Sequence, residues 1–140
     1  MGTIKVEIVT PEGGKVYTNE IEMLIVRSTA GELGILPKHA NLLTELLPHA
    51  MRVKAEGTET LVAIGGGFME VTPDKITILA DSAEMADNID VDRAKAAYKR
   101  AEDRINSYKN SPKESEIDIR RAEAALARAK ARLLVKNVQL

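Results

Sequence analysis

The chain has 140 residues, with 20 Lys and Arg against 21 Asp and Glu, two histidines and no cysteine. A chain of this length buries roughly two thirds of its unfolded surface, so one domain, or one domain with an appendage, can fold unaided. The balanced charge gives no sign of a nucleic-acid or membrane-surface binder. The lack of cysteine excludes a disulfide scaffold, a thiol nucleophile and Cys-built metal sites, and fits a reducing compartment.

From the N-terminus, Ile4, Val6 and Ile8 alternate with Lys5, Glu7 and Val9, the period of a half-buried strand. Charge this early leaves no apolar cleavable signal, so export is not expected. Thr10-Pro11-Glu12-Gly13-Gly14 turns the chain. Short β-branched runs follow at Ile21–Ser28, Met51–Lys54, Thr60–Ile64, Phe68–Val71 and Lys75–Ala80. Turn signals separate them at Ala30-Gly31, Glu56-Gly57 and Thr72-Pro73-Asp74. That spacing predicts an all-β sandwich or flattened barrel, with an aliphatic core because aromatic residues are only 3% of the chain. The longest uncharged stretch, Thr60 to Met69, is far short of the ~20 apolar residues that cross a bilayer.

Beyond Ala80 there is no glycine and one proline, Pro112, and the period changes. Val91, Ala94, Tyr98, Ala101 and Ile105 step by helical intervals, and Ile119, Ala122, Leu126, Ala129 and Leu133 repeat the pattern. Two amphipathic helices are expected, the first capped by Asp90 with Asp92 in its first turn, the second starting near Glu114 or Glu116. Asn106–Ser115 is the expected break, which makes the helices an antiparallel hairpin. The domain division is 1–84 and 85–140. Four alanines among the ten seam positions leave the helices intrinsically stable but weakly packed on each other. Such a hairpin can relocate without melting.

Catalytic motifs are missing. Gly13-Gly14-Lys15 lacks the remainder of a phosphate loop, and Gly65-Gly66-Gly67 precedes a strand-like run, not a helix. His39 and His49 make a poor metal pair and read as surface or loop histidines. An enzyme is not expected. The second helix is basic, with Arg120, Arg121, Arg128, Lys130, Arg132 and Lys136 against Glu123 between residues 120 and 136. If the hairpin closes about Ser111, Asp90, Arg93, Arg128 and Arg132 gather at its open end, with Arg100 on the same stripe as Arg93. Converging arginines beside a carboxylate can hold a polyphosphate and a base or sugar donor. Most charge runs on helices are instead solvated ion-pair surfaces, and both readings stand on composition alone. The low aromatic content argues against single-stranded nucleic acid.

The segment Gly31-Glu32-Leu33-Gly34-Ile35-Leu36-Pro37-Lys38-His39 resembles the epsilon subunit of the bacterial rotary ATP synthase. So do Gly66-Gly67-Phe68-Met69-Glu70-Val71, Pro73-Asp74-Lys75-Ile76-Thr77-Ile78-Leu79-Ala80 and Ile89-Asp90-Val91-Asp92-Arg93-Ala94. The likeness runs through the whole chain in order. It implies a β-sandwich of about ten strands followed by a two-helix hairpin. It also implies a peripheral place on the cytoplasmic face of the plasma membrane, without membrane insertion.

The implied partners are the gamma subunit and the c-ring, with Glu32 and His39 at rotor-contact positions. The basic second helix, with Arg120 and Arg121, would meet an acidic segment of the catalytic beta subunit and block ATP hydrolysis when the arm extends. The Ile89, Asp90, Arg93, Ala94 pattern is similar to a motif that binds ATP without hydrolysing it, using also positions matching Glu84, Arg100, Arg128 and Arg132. Magnesium is not obviously required. The connection Tyr108–Glu116 is longer than expected of the family, and Tyr98 enlarges a seam position. A purely structural rotor component and a basic adaptor hairpin are the rival readings.

Overall fold

The computed structural model describes residues 2–110 and 116–138. Eight strands come first: β1 Ile4–Thr10, β2 Gly14–Ile21, β3 Met23–Ser28, β4 Gly31–Ile35, β5 Leu42–Ala55, β6 Thr58–Val71, β7 Lys75–Ala80 and β8 Ala83–Met85. A 3-10 turn, Ala86–Asn88, leads into the helices α1 Val91–Asn110 and α2 Glu116–Val135. The architecture is the expected β-sandwich and helical hairpin.

The strands form one sheet in the order β2-β1-β7-β6-β5-β3-β4, with β8 paired to β6. Yet β2 also touches β5, four places away in that order. Strands lie about 4.8 Å apart in a sheet, so this contact requires the sheet to fold over on itself into two layers. The alternation read at Ile4, Val6 and Ile8 points inward, and these residues share a core with Leu24, Val26, Met51, Ile64 and Ile78. That core is aliphatic, as the composition required.

Eight strands appear where the resemblance implied about ten. The two runs read at Thr60–Ile64 and Phe68–Val71 are one 14-residue strand, β6, that passes through all three glycines without ending. Its first half carries β8 and its second half carries β7. The partner strand β5 is as long and pairs with β6 along its length. Glycine allows this passage because Gly66 and Gly67 take φ of 101° and 143°, which side chains resist. At Gly67 a Cβ would also run into the Leu79 carbonyl oxygen.

Glu7 ties three strands. From β1, its carboxylate lies between Lys75 of β7 at 2.9 Å and Lys15 of β2 at 3.2 Å, with Lys5 of β1 at 3.2 Å. These ammonium groups, Lys75 foremost, hold its pKa at about 2, below the ordinary 4.5.

The helical seam is the one the periodicity predicted. Ala94, Ala101, Ala122, Ala129 and Leu133 are buried, and Val91, Tyr98, Ile105, Ile119 and Leu126 are half-buried. One boundary differs: α1 runs to Asn110, so Asn106–Asn110 is helix, not break. Polar residues without glycine or proline give the helix no reason to stop earlier. The rest of the expected break, Ser111–Ser115, lies outside the described residues.

A second face of α2, unread in the sequence, seats the hairpin on the sandwich. Ala131 and Val135 form a buried cluster with Ala63 of β6 and Ile89, with Ala50, Leu61 and Ala86 packed against it. A buried methylene contributes about 0.8 kcal/mol, so an alanine-built seat is shallow compared with the sandwich core.

Two outcomes follow for stability. Gly67→Ala should cost at least about 3 kcal/mol in urea unfolding, combining positive-φ strain with a backbone clash. Glu7→Gln should destabilise the sandwich at neutral pH. A lowered carboxylate pKa stabilises fully above 4.5 and ceases to do so as pH falls through about 2. The unfolding midpoints of wild type and Glu7→Gln should therefore converge across that interval.

Candidate functional site

Strand alternation begins the site. In β8, Ala83 and Met85 pack toward the sandwich core, which turns the intervening Glu84 to the opposite face. Its register partner is Ala63, the residue on which α2 sits. Glu84 therefore stands beside the last turns of α2. Arg132 meets it there, Nε donating to Oε1 at 2.6 Å.

The next residues aim α1. Ile89 is buried in the cluster with Ala63, Ala131 and Val135, and it fixes where the helix starts. Asp90 caps that start as expected: the Arg93 amide donates to its Oδ1 at 3.1 Å and the Ala94 amide to its carbonyl at 3.0 Å. Helical spacing then places Arg93, Ala97 and Arg100 on one stripe.

These elements enclose a cleft of ≈ 410 Å³ lined by Glu84, Asn88, Asp90, Arg93, Ala94, Ala97, Arg100 and Arg132. It joins β8, both helices and the turn between the two parts of the chain. Its size is that of a small-molecule site. Three guanidiniums face two carboxylates, and the α1 N-terminus adds partial positive charge. The alanines leave room where larger side chains would fill the floor.

Six of the eight nucleotide positions read from the sequence line this cleft: Glu84, Asp90, Arg93, Ala94, Arg100 and Arg132. Two do not. Ile89 is turned into the core, and the stem of Arg128 lies against Gly65 of β6. Arg128 and Arg132 share a helix face, but four residues of rise, about 6 Å, carry Arg128 past β8.

Sequence reasoning missed Asn88 and Ala97. Ala97 lies at helical spacing between Arg93 and Arg100 and could have been found; Asn88, in an aperiodic 3-10 turn, carried no such signal. The second face of α2 was also legible, since Ala124, Ala127, Ala131 and Leu134 step by 3, 4 and 3.

The partner positions are elsewhere. Glu32 is exposed on β4, opposite Arg27 of β3. His39 follows in the β4–β5 connection, its Nδ1 2.6 Å from the Ala40 carbonyl. The Lys38 amide bonds the Pro73 carbonyl at 3.2 Å, tying this loop to the β6–β7 turn. Arg120 and Arg121 are exposed on α2. His49 corrects its reading as a surface or loop residue: it lies within β5, and its Nε2 is buried. Among the described residues no helix is long and apolar enough to cross a membrane.

Comparison with known proteins covers both parts of the chain. Residues 3–86 match the family model described as ATP synthase, Delta/Epsilon chain, beta-sandwich domain, and residues 87–137 its long alpha-helix domain. The ATP synthase epsilon chain of Bacillus velezensis is 52% identical over 133 residues, covering 95% of this chain and 96% of that one. That of Desulforamulus reducens is 51% identical over 127 residues, covering 91% and 92%. A chain in the Euglena gracilis mitochondrial ATP synthase assembly of OSCP, F1 and c-ring superposes with a TM-score of 0.74 at 20% identity, covering 94% of this chain and 79% of that one. That likeness is one of fold.

The cap can be separated from the charge at Asp90. Asp90→Ala should cost about 1 kcal/mol in thermal or denaturant unfolding of the helical part, whereas Asp90→Asn, which keeps the cap, should cost a few tenths.

Proposed function

The chain belongs to the ATP synthase delta/epsilon family, and from that premise we propose that it is a non-catalytic central-stalk subunit whose helical arm responds to ATP. The observation that carries the ATP reading is the cleft where Arg93, Arg100 and Arg132 converge beside Glu84 and Asp90. Guanidiniums take phosphate oxygens with paired donors, and the arginines supply counter-charge without magnesium. The carboxylates and the Asn88 amide can take the donors of a base or ribose. The cleft offers groups that bind and orient, and no step of hydrolysis is assigned to them.

A ligand here touches β8, α1 and α2 together, so it binds only the arm that is seated. At one hundred times its dissociation constant it stabilises that state by about 2.7 kcal/mol. An alanine seat is shallow enough for such an amount to decide the position of the arm. Low ATP then raises the fraction of chains whose basic α2, with Arg120 and Arg121, is free to reach an acidic segment of the catalytic beta subunit and restrain hydrolysis.

The sandwich supplies the rotor end. Phe68 and Leu79 are register partners on β6 and β7, both more than half exposed, and Leu43 of β5 is exposed nearby. An apolar outer face on an otherwise charged sheet suits a packed protein partner. The gamma shaft fits this face, and the c-ring fits the end carrying Glu32 and His39.

Calorimetric titration of the full chain with ATP tests the sensor. Heat of binding is expected for the wild type. Arg93→Ala and Arg132→Ala should each weaken affinity at least about tenfold, the loss of one charge-assisted hydrogen bond of about 1.4 kcal/mol or more. Arg128→Ala should change it less. Absence of binding, or equal affinity in all four proteins, would leave the rival reading: a fixed brace pinned by the Glu84–Arg132 pair.

A further inference from the structure

The nucleotide cleft does not use His49. This residue lies in the stretch of β5 where pairing with β3 shifts register. It lines a second cleft, of ≈ 680 Å³, between α2 and strands β3, β4 and β5. The wall contributed by α2 includes its alanine stripe, Ala124, Ala127 and Ala131, with Leu134. His49 therefore sits at the seat of the arm, on the opposite partner.

Its protonation state follows from its contacts. The Nδ1 atom is 2.6 Å from the Leu47 carbonyl oxygen, which can only accept, so Nδ1 carries the proton of the neutral ring. The Nε2 atom is then a bare acceptor, and it is buried with no hydrogen-bond partner among the described residues. A second proton would place an N–H donor and a full charge at that buried position.

The charged groups facing this cleft are Arg27 of β3, Glu32 of β4, Arg52 of β5, and Glu123 and Lys130 of α2. Arg52 is bound to Glu59 by two bonds of 3.0 Å. Burial pushes the His49 pKa below 6.5, and Arg27 pushes it the same way, against the hydrogen bond to Leu47. Imidazole is the one side-chain type in the cleft whose ordinary range falls between pH 5.5 and about 7.5.

We propose that His49 makes the seating of α2 on the sandwich pH-sensitive: the neutral ring fits the seated arm, and protonation releases it. Acidification then acts in the same direction as loss of nucleotide, through a different group in a different cleft. The inference rests on the reading that the arm can leave its seat. The sign is that of a lowered histidine pKa. Seating is undiminished above the ordinary value of 6.5 and weakens as pH falls below it, by at most about tenfold per pH unit for one proton.

The test uses the full chain, whose lack of cysteine allows clean labelling. A donor and acceptor dye on Thr58→Cys and Arg121→Cys report the distance from sandwich to α2, without nucleotide, as pH falls from about 7.5 to 5.5. Energy transfer should fall below pH 6.5 in the protein with His49, and stay level in His49→Gln and His49→Asn. His39→Gln should behave as the parent does. Proton NMR of the unlabelled chain should show the His49 ring titrating below 6.5, which holds even if a variant folds poorly. Equal pH responses with and without His49, no response at all, or an unshifted His49 ring would overturn the inference. ATP added at pH 7.5 separates the failures. A change in transfer with ATP but none with pH sinks only the histidine; no change with either removes the movable arm as well.

Discussion

The contact of α2 with the sandwich sets the behaviour of the rest of the molecule. It consists of Ala131 and Val135 against Ala63 and Ile89, with the Arg132–Glu84 pair at its edge. Two of its four apolar side chains are alanines, so the seat is shallow beside the sandwich core. The ion pair, both partners about a third exposed, adds little in water-screened surroundings. The two parts of the chain are thus stable for different reasons, and their junction is packed more shallowly than the sandwich core. Both clefts border this junction.

The strength of the sandwich is the complement of that weakness. Two 14-residue strands share one ladder, and the aliphatic interior is closed from both layers. Glu7 with its lysines pins three strands from outside. A body of this kind can be held by a partner through Phe68, Leu79 and Leu43 without deforming. The helices keep their own structure through alanine propensity and the Asp90 cap, so they can be moved as units. A firm base and a shallowly seated hairpin suit the proposed stalk subunit with a movable arm.

Much of this was legible beforehand. Period-2 alternation at Ile4–Ile8 and helical steps from Val91 and Ile119 reflect burial of one face, which local pattern records directly. Asp90 as a cap was legible for the same reason, since its partners are its own neighbours in the chain. The Gly65-Gly66-Gly67 run misled, because glycine ends strands more often than it carries one across a fold. Arg128 is a divided case: helical spacing places it beside Arg132, but only the path of β6 decides that its stem lies against Gly65.

The sequence by itself determined the elements whose periodicity is clear, such as the strand at Ile4–Ile8 and the two helices, though not β2, β4, β8 or the passage of β6 through its glycines. It also determined where the turn-rich part gives way to the helical part and, through close similarity along the whole chain, the family. Those features depend on neighbours in the chain or on a shared pattern of residues. Tertiary structure alone decided that Glu84 and Arg132, 48 residues apart, form one ion pair, that Ile89 turns inward, and that the His49 Nε2 is shut from water. Each of those depends on how the hairpin lies against the folded-over sheet. Distance and desolvation across that junction are set by the packing of both parts at once, and no local periodicity encodes them.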